Sequence, residues 1–403
     1  MTPDPNRLRE QAETLLPQML GWLRRMVEIN SFTTHAEGVR RVGELTAECF
    51  AELGFEAEFV RPSDPDHGCH LFLRRGPSNQ RPVLLVTHLD TVFPPEEEIA
   101  NGFRWQEEGG RIYGPGTVDN KGGTALIWLM LHLLRSGWPE LFEATAWMVA
   151  ASSAEEVISD DFAGQARRLC PEGARAVLVF EGGPHDDEGW HLVTARKGRA
   201  EFRLVCRGRA AHAGSGHASG INAVVELSRV LPGLAALTDP ARELTVNVAT
   251  VQGGGILNRV PHEALAELEM RAYEPEVLAR AEQTLMKLAG PTPGGAVIEV
   301  ERLGATAAWP GGAQTEVLYW IWRECGLRLG MDMLPRRRGG LSDANYLCSL
   351  GPTLDALGPA GGNAHCSERS ADGSKMPEYV EADSFVPKAL VNAMAVARAC
   401  AYF

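Results

Sequence analysis

Apolar and polar positions follow two rhythms along this chain, and their order predicts its architecture. Between Leu8 and Ile29, Leu15, Leu16, Met19, Leu20, Leu23 and Met26 return at helical spacing and predict an amphipathic opening helix, kinked or divided at Pro17. A second helix is expected over 38–53, ended by Gly54. Strands are expected over 56–60 and 70–73, and 82–87 is a nearly unbroken Val/Leu run, the signature of a strand buried on both faces. A helix over 122–134, a strand over 144–151, a helix over 161–169 and a strand over 176–180 continue the alternation. Strand and helix taking turns argue for an α/β fold: an open, mostly parallel sheet flanked by helices.

The pattern shifts after residue 197. Strand 199–207, helix 220–236, strands 244–251 and 264–271, helix 274–289 and strand 297–301 give the β-α-β-β-α-β order of a ferredoxin-like α+β unit. Helix returns at 314–325 and at 382–399, with a strand between. Three consecutive domains would satisfy this order. The last stretch is short for a core of its own, so two domains are preferred: one from 1–197 and 307–403, the other, 198–306, inserted into it.

Composition narrows the partners. The chain has 403 residues, 44% of them apolar and 23% charged, which is ordinary globular usage. Its net charge of −13 disfavours nucleic acid and anionic membrane surfaces. The eight cysteines show no CxxC pair, which fits a reducing compartment rather than a disulfide framework. No secretory signal or membrane-length apolar run is visible, so a cytoplasmic protein is expected.

Candidate chemistry collects at strand ends, where open α/β sheets bind ligands. His88 and Asp90 follow the 82–87 run two residues apart, so the carboxylate can orient an imidazole that holds a metal; a surface hydrogen bond is the plainer reading. Asp119 stands in Gly114-Pro-Gly-Thr-Val-Asp-Asn-Lys-Gly-Gly123 just before a helix, where it can also serve as an N-cap. Glu155 and Glu156 follow a buried strand directly. Adjacent carboxylates there suit a metal ligand beside a general base, or else a solvated acidic turn. Glu181 ends the strand over 176–180, and His365 sits in a Gly-rich loop. His88, Asp119, Glu156, Glu181 and His365 together form a two-His, three-carboxylate set that suits a pair of zinc-type ions bridged by one carboxylate. HExxH, GxSxG and P-loop patterns are absent.

These blocks, in this order, resemble the dinuclear zinc exopeptidases and deacylases that include carboxypeptidase G-type enzymes, acetylornithine deacetylase, succinyl-diaminopimelate desuccinylase and aminoacylase. The resemblance implies that His88, Asp119 and Glu181 hold one metal and Asp119, Glu156 and His365 the other. It makes Asp119 the bridge, Glu155 the general base and Asp90 the orienter of His88. The inserted domain would be a lid and dimerisation domain. Its His212, in Ala210-Ala-His-Ala-Gly214, would stabilise an oxyanion in the partner subunit's site. Asn258 and Arg271 would lie near substrate, and Arg337 would read a substrate carboxylate. The chain departs from the family pattern by the stretch Cys366–Pro377, which intervenes between His365 and Glu378-Tyr379.

The resemblance thus implies a homodimeric metal-dependent amide hydrolase with two divalent ions per chain, zinc first and cobalt or manganese as alternatives. Its substrate would be a small peptide or N-acyl amino acid with a free carboxylate. A carboxypeptidase is favoured over an N-acyl-amino-acid deacylase, and a non-catalytic binding protein on the same fold is the remote third reading.

Overall fold

The computed structural model describes residues 3–157 and 160–402. The chain forms two compact units. The first takes the chain up to Thr194, then Gly311–Arg336 and everything from Ser342; the second is Ala195–Pro310 with Arg337–Leu341.

In the first unit a six-stranded sheet runs in the order Glu56–Val60, His70–Arg75, Trp147–Ser152, Val83–His88, Ala176–Val179, Thr353–Leu354. His70–Arg75 pairs antiparallel with both its neighbours, and the remaining three junctions are parallel. Val83–His88, Trp147–Ser152 and Ala176–Val179 are buried at every position, which explains their unbroken apolar sequences. Register then aligns their ends: Val83 pairs with Trp147 and with Ala176, and His88 lies opposite Ser152. The residues that follow each strand therefore leave the sheet side by side.

Helices Pro5–Val27, Lys121–Gly137 and Phe385–Tyr402 pack together, the middle one buried along nearly its whole length. The opening helix is one continuous element through Pro17. Pro17 is exposed, so water can satisfy the carbonyl it leaves unpaired, and the expected division does not occur. A four-stranded sheet joins Gly361–Gly362, Tyr379–Glu381, Arg111–Tyr113 and Gln106–Glu108, bringing the segments near residues 113 and 362 to one place.

The second unit is a five-stranded antiparallel sheet ordered Thr245–Gly253, Glu263–Ala272, Gly198–Arg207, Val297–Thr306, Gly290–Pro291. Helices Ala223–Ala235 and Pro275–Met286 pack on it. The two central strands alternate strictly, sending Phe202, Leu204, Leu268 and Met270 into the core with Leu227 and Leu285. Their other face carries an ionic ladder: Arg203 reaches Glu267 and Glu301, and Arg207 reaches Glu263 and Glu299. No described helix is long and apolar enough to cross a membrane.

Candidate metal centre

The aligned strand ends deliver five of the sequence-predicted residues. His88 is the last residue of its strand and fully buried. Asp90 follows two residues later; Glu155 and Glu156 begin a 3-10 turn just beyond Ser152, and Glu181 comes just beyond Val179. Asp119 lies in the loop before helix Lys121–Gly137, and His365 follows the strand Gly361–Gly362.

His88 Nε2 stands 2.9 Å from Asp119 Oδ1 and 3.8 Å from Glu181 Oε1. His365 Nε2 stands 3.4 Å from Asp119 Oδ2 and 3.1 Å from Glu156 Oε2. Asp119 thus faces one imidazole with each oxygen. His88, Asp119 and Glu181 form one group whose donor atoms lie within 4.8 Å of one another, and Asp119, Glu156 and His365 form a second. Glu156 Oε1 is buried without a hydrogen-bond partner among the described residues, a desolvated lone pair that a cation would satisfy. The donor set fits a pair of divalent ions sharing Asp119.

Electrostatics follow the crowding. Burial alone would raise the Asp119 carboxyl, but hydrogen bonds to His365 and His88 hold it well below the usual carboxylate range. Those bonds to Asp119 and Glu156 lift His365 to about 11. Burial pushes the carboxyls of Glu155 and Glu156 up, Glu155 strongly, with Glu181, Asp343 and Glu156 adding to its repulsion. Glu155 belongs to neither donor group. That separates it from Glu156, which the sequence alone could not do.

Asp90 is fully buried and holds the strand end by both oxygens. Oδ1 accepts from the Glu155 amide (3.1 Å), while Oδ2 accepts from the Glu156 amide (3.3 Å) and the Thr33 hydroxyl (2.8 Å). His88 Nδ1 lies 3.1 Å from the Asp90 main-chain oxygen and 3.5 Å from its carboxylate. With the Nδ1 proton on the Asp90 carbonyl, Nε2 keeps its lone pair toward Asp119.

The other four predicted residues lie in the second unit. His212 is exposed, and its Nδ1 accepts from the amides of Gly214 (3.1 Å) and Ser215 (3.2 Å), which places the ring proton on Nε2. The Ala213 amide donates to the Asn258 carbonyl, so His212 and Asn258 are neighbours. Arg271 pairs in two-pronged fashion with Glu269 and donates to the Gly339 carbonyl. Arg337 pairs with Glu243 at 2.7 Å and stacks 3.8 Å over the Tyr273 ring. A carboxylate read by Arg337 would therefore compete with Glu243.

Two acids escaped assignment from sequence. Glu378 is buried, its Oε1 accepting from the amides of Val118 (3.0 Å) and Asp119 (3.2 Å); burial pushes it up to about 8. Asp343 is buried with Oδ2 unpartnered among the described residues, and burial pushes it up to about 7. The distance of 260 positions between Glu378 and Val118 leaves no local signal. A third acid–histidine group, Asp186, Glu188 and His191, already holds a cation, because Arg336 lies within 3.1 Å of both Asp186 and His191.

Comparison with known proteins agrees with this architecture. Residues 194–294 match the peptidase dimerisation domain of the M20 family. Carboxypeptidase G2 of Pseudomonas sp. (strain RS-16) is 28% identical over 96% of this chain and 90% of its own length. Succinyl-diaminopimelate desuccinylase of Nitrosococcus oceani is 24% identical over 85% of this chain and 90% of its own. The M20 family metallo-carboxypeptidase Sso-CP2 of Sulfolobus solfataricus shares the fold, with a TM-score of 0.69, 14% identity and coverage of 95% of this chain and 99% of its own. With a dimerisation-domain match at residues 194–294 and relatives of this kind along nearly the whole sequence, the chain is similar to the M20 metallopeptidases, a likeness that indicates a hydrolase.

Proposed function

We propose that this protein is a carboxypeptidase-like amide hydrolase that uses two divalent ions to release the C-terminal residue of small peptides with a free carboxylate. The observation that carries the reading is Asp119, whose two oxygens each face a different histidine–carboxylate pair. His88, Asp119 and Glu181 would hold one ion, and Asp119, Glu156 and His365 the other. Zinc suits these imidazole and carboxylate donors, and cobalt or manganese can substitute. Ions held by these residues would polarise a carbonyl and acidify a water.

The chain's own groups do the rest. Glu155 takes a proton from the attacking water and passes it to the leaving nitrogen. A C–O bond forms as the C–N bond breaks, giving an acid and an amine. Its raised proton affinity suits a group that must both accept and return a proton. His212, with Nδ1 occupied, offers Nε2–H to the developing oxyanion, supplied from the partner subunit of a homodimer as the family resemblance implies. Asn258, Arg271 and Arg337 would complete the substrate site.

The desuccinylase relative favours a second reading, N-acyl-amino-acid deacylase, by the same chemistry. The test is a panel of dipeptides and N-acyl amino acids assayed after chelation and re-addition of zinc, cobalt or manganese. Highest kcat/KM on peptides supports the carboxypeptidase, and higher values on N-succinyl or N-acetyl substrates move the assignment to deacylase. Turnover of neither class with any of the metals would refute both.

A further inference from the structure

The loop after His365 is longer than the family pattern leads one to expect, and it closes on itself. It leaves at Cys366 and returns at Glu378, where the Glu378 amide donates to the Cys366 carbonyl at 2.7 Å. Between these points it is tied down: Asn101 donates to Ser367 at 2.7 Å, and Arg369 pairs with Glu108 at 2.7 Å and stacks on Tyr113. Just before it, Asn363 and His365 both sit in the left-handed region, at φ 57° and 67°. Non-glycine residues hold that conformation at some cost, so the flanking chain must impose it.

Glu378 acts on the other half of the cluster as well. Its carboxyl accepts from the amides of Val118 and of Asp119 itself. One residue therefore ties the chain beside His365 by its own amide and the chain at Asp119 by its side chain. We infer that Glu378 is a positioning residue that sets the separation of Asp119 and His365, and thereby the affinity of the ion they share with Glu156. The inference rests on the two-ion reading given above. Its physical basis is that the Val118 amide is buried, the Asp119 amide is half-buried, and both need an acceptor at one distance; removing or retracting it frees the loop that carries Asp119.

The test compares Glu378→Gln with Glu378→Asp by calorimetric zinc titration of the metal-free dimer, with the thermal midpoint of the metal-free protein as control. Gln keeps an acceptor oxygen at the original reach, whereas Asp withdraws it by one methylene. Wild type and Glu378→Gln should bind two ions with matching dissociation constants. Glu378→Asp should bind both more weakly, at least one of them by about 10- to 100-fold, the usual effect of disturbing a group behind a ligand. Equal affinities in wild type and Glu378→Asp would overturn the inference, as would a Glu378→Gln that loses affinity as Asp does. Wild type that saturates below two ions would instead overturn the two-ion reading, and this inference with it.

Discussion

Asp90 is buried and accepts from three donors for which the described residues offer no other acceptor, so replacing it with alanine has a calculable cost. Asp90→Ala leaves the amides of Glu155 and Glu156 and the hydroxyl of Thr33 unpaired. The Thr33 hydroxyl is buried and the two amides are half-buried; each stranded donor costs about 1–3 kcal/mol, and water entering the vacated space returns part of it, so a net loss of about 3–5 kcal/mol is expected. Against a typical total of about 5–15 kcal/mol this is severe. Thr33→Val removes one donor and leaves the other two served, so it should cost only about 1 kcal/mol. Urea unfolding of the metal-free protein, followed by tryptophan fluorescence, measures both. That signal reports mainly the first unit, because the second holds a single tryptophan, Trp309. Because Asp90 places both glutamate amides, Asp90→Ala should also bind metal more weakly at the Glu156 side. A stability loss below about 1 kcal/mol for Asp90→Ala would refute the reasoning, since the three donors would then have found other partners.

Glu155→Gln should keep both ions, measured by elemental analysis, while losing roughly two to four orders of magnitude in kcat; loss of metal would exchange the roles of Glu155 and Glu156. Asp119→Ala should lose both ions and Glu181→Ala mainly one, so full occupancy in Asp119→Ala would remove the bridge. Arg337→Ala should reduce kcat/KM by about tenfold or more for carboxylate substrates and much less for the matching amides, with equal losses showing that it does not read the carboxylate. Lys388 is fully buried, donating to the Ala356 carbonyl, and burial lowers it from 10.5 to about 7. Between those values the unfolded chain binds the extra proton, so wild-type stability relative to Lys388→Met should rise as pH increases from about 7 to 10.5 and stay level below 7; a flat difference across that window would contradict the shift.

The first unit's sheet was legible because its three central strands are buried on both faces, and burial leaves apolar runs that need no partner to be recognised. The second unit was legible through alternation, as in Glu263–Ala272, where buried residues occupy every other position. The small sheet was not. Its strands are two or three residues long, too short for either rhythm, yet it brings the segment before His365 beside the hairpin that precedes Asp119. Helix Pro95–Asn101 buries no residue and so left no periodic trace. Candidate ligands stood out as acids and imidazoles at strand ends. Their supports did not, because Thr33, Glu378 and the Tyr273–Glu243 clamp on Arg337 join residues far apart in sequence.

The ionic ladder on the second unit's sheet has a consequence for how the chain finds its pairing. Arg203 and Arg207 sit four residues apart on the central strand and each spans to both neighbouring strands. These pairs are substantially exposed, and each adds only about 0–1 kcal/mol to the folded state. Their larger effect is on misaligned states. A slip by one residue would turn Arg203 and Arg207 into the space filled by Phe202, Leu204 and Cys206, and send those side chains into water. Charges of both signs facing one another on three strands thus work as a proofreading device: they barely deepen the correct minimum, but they raise the wrong ones, so a strand that pairs out of step is expelled before it can set.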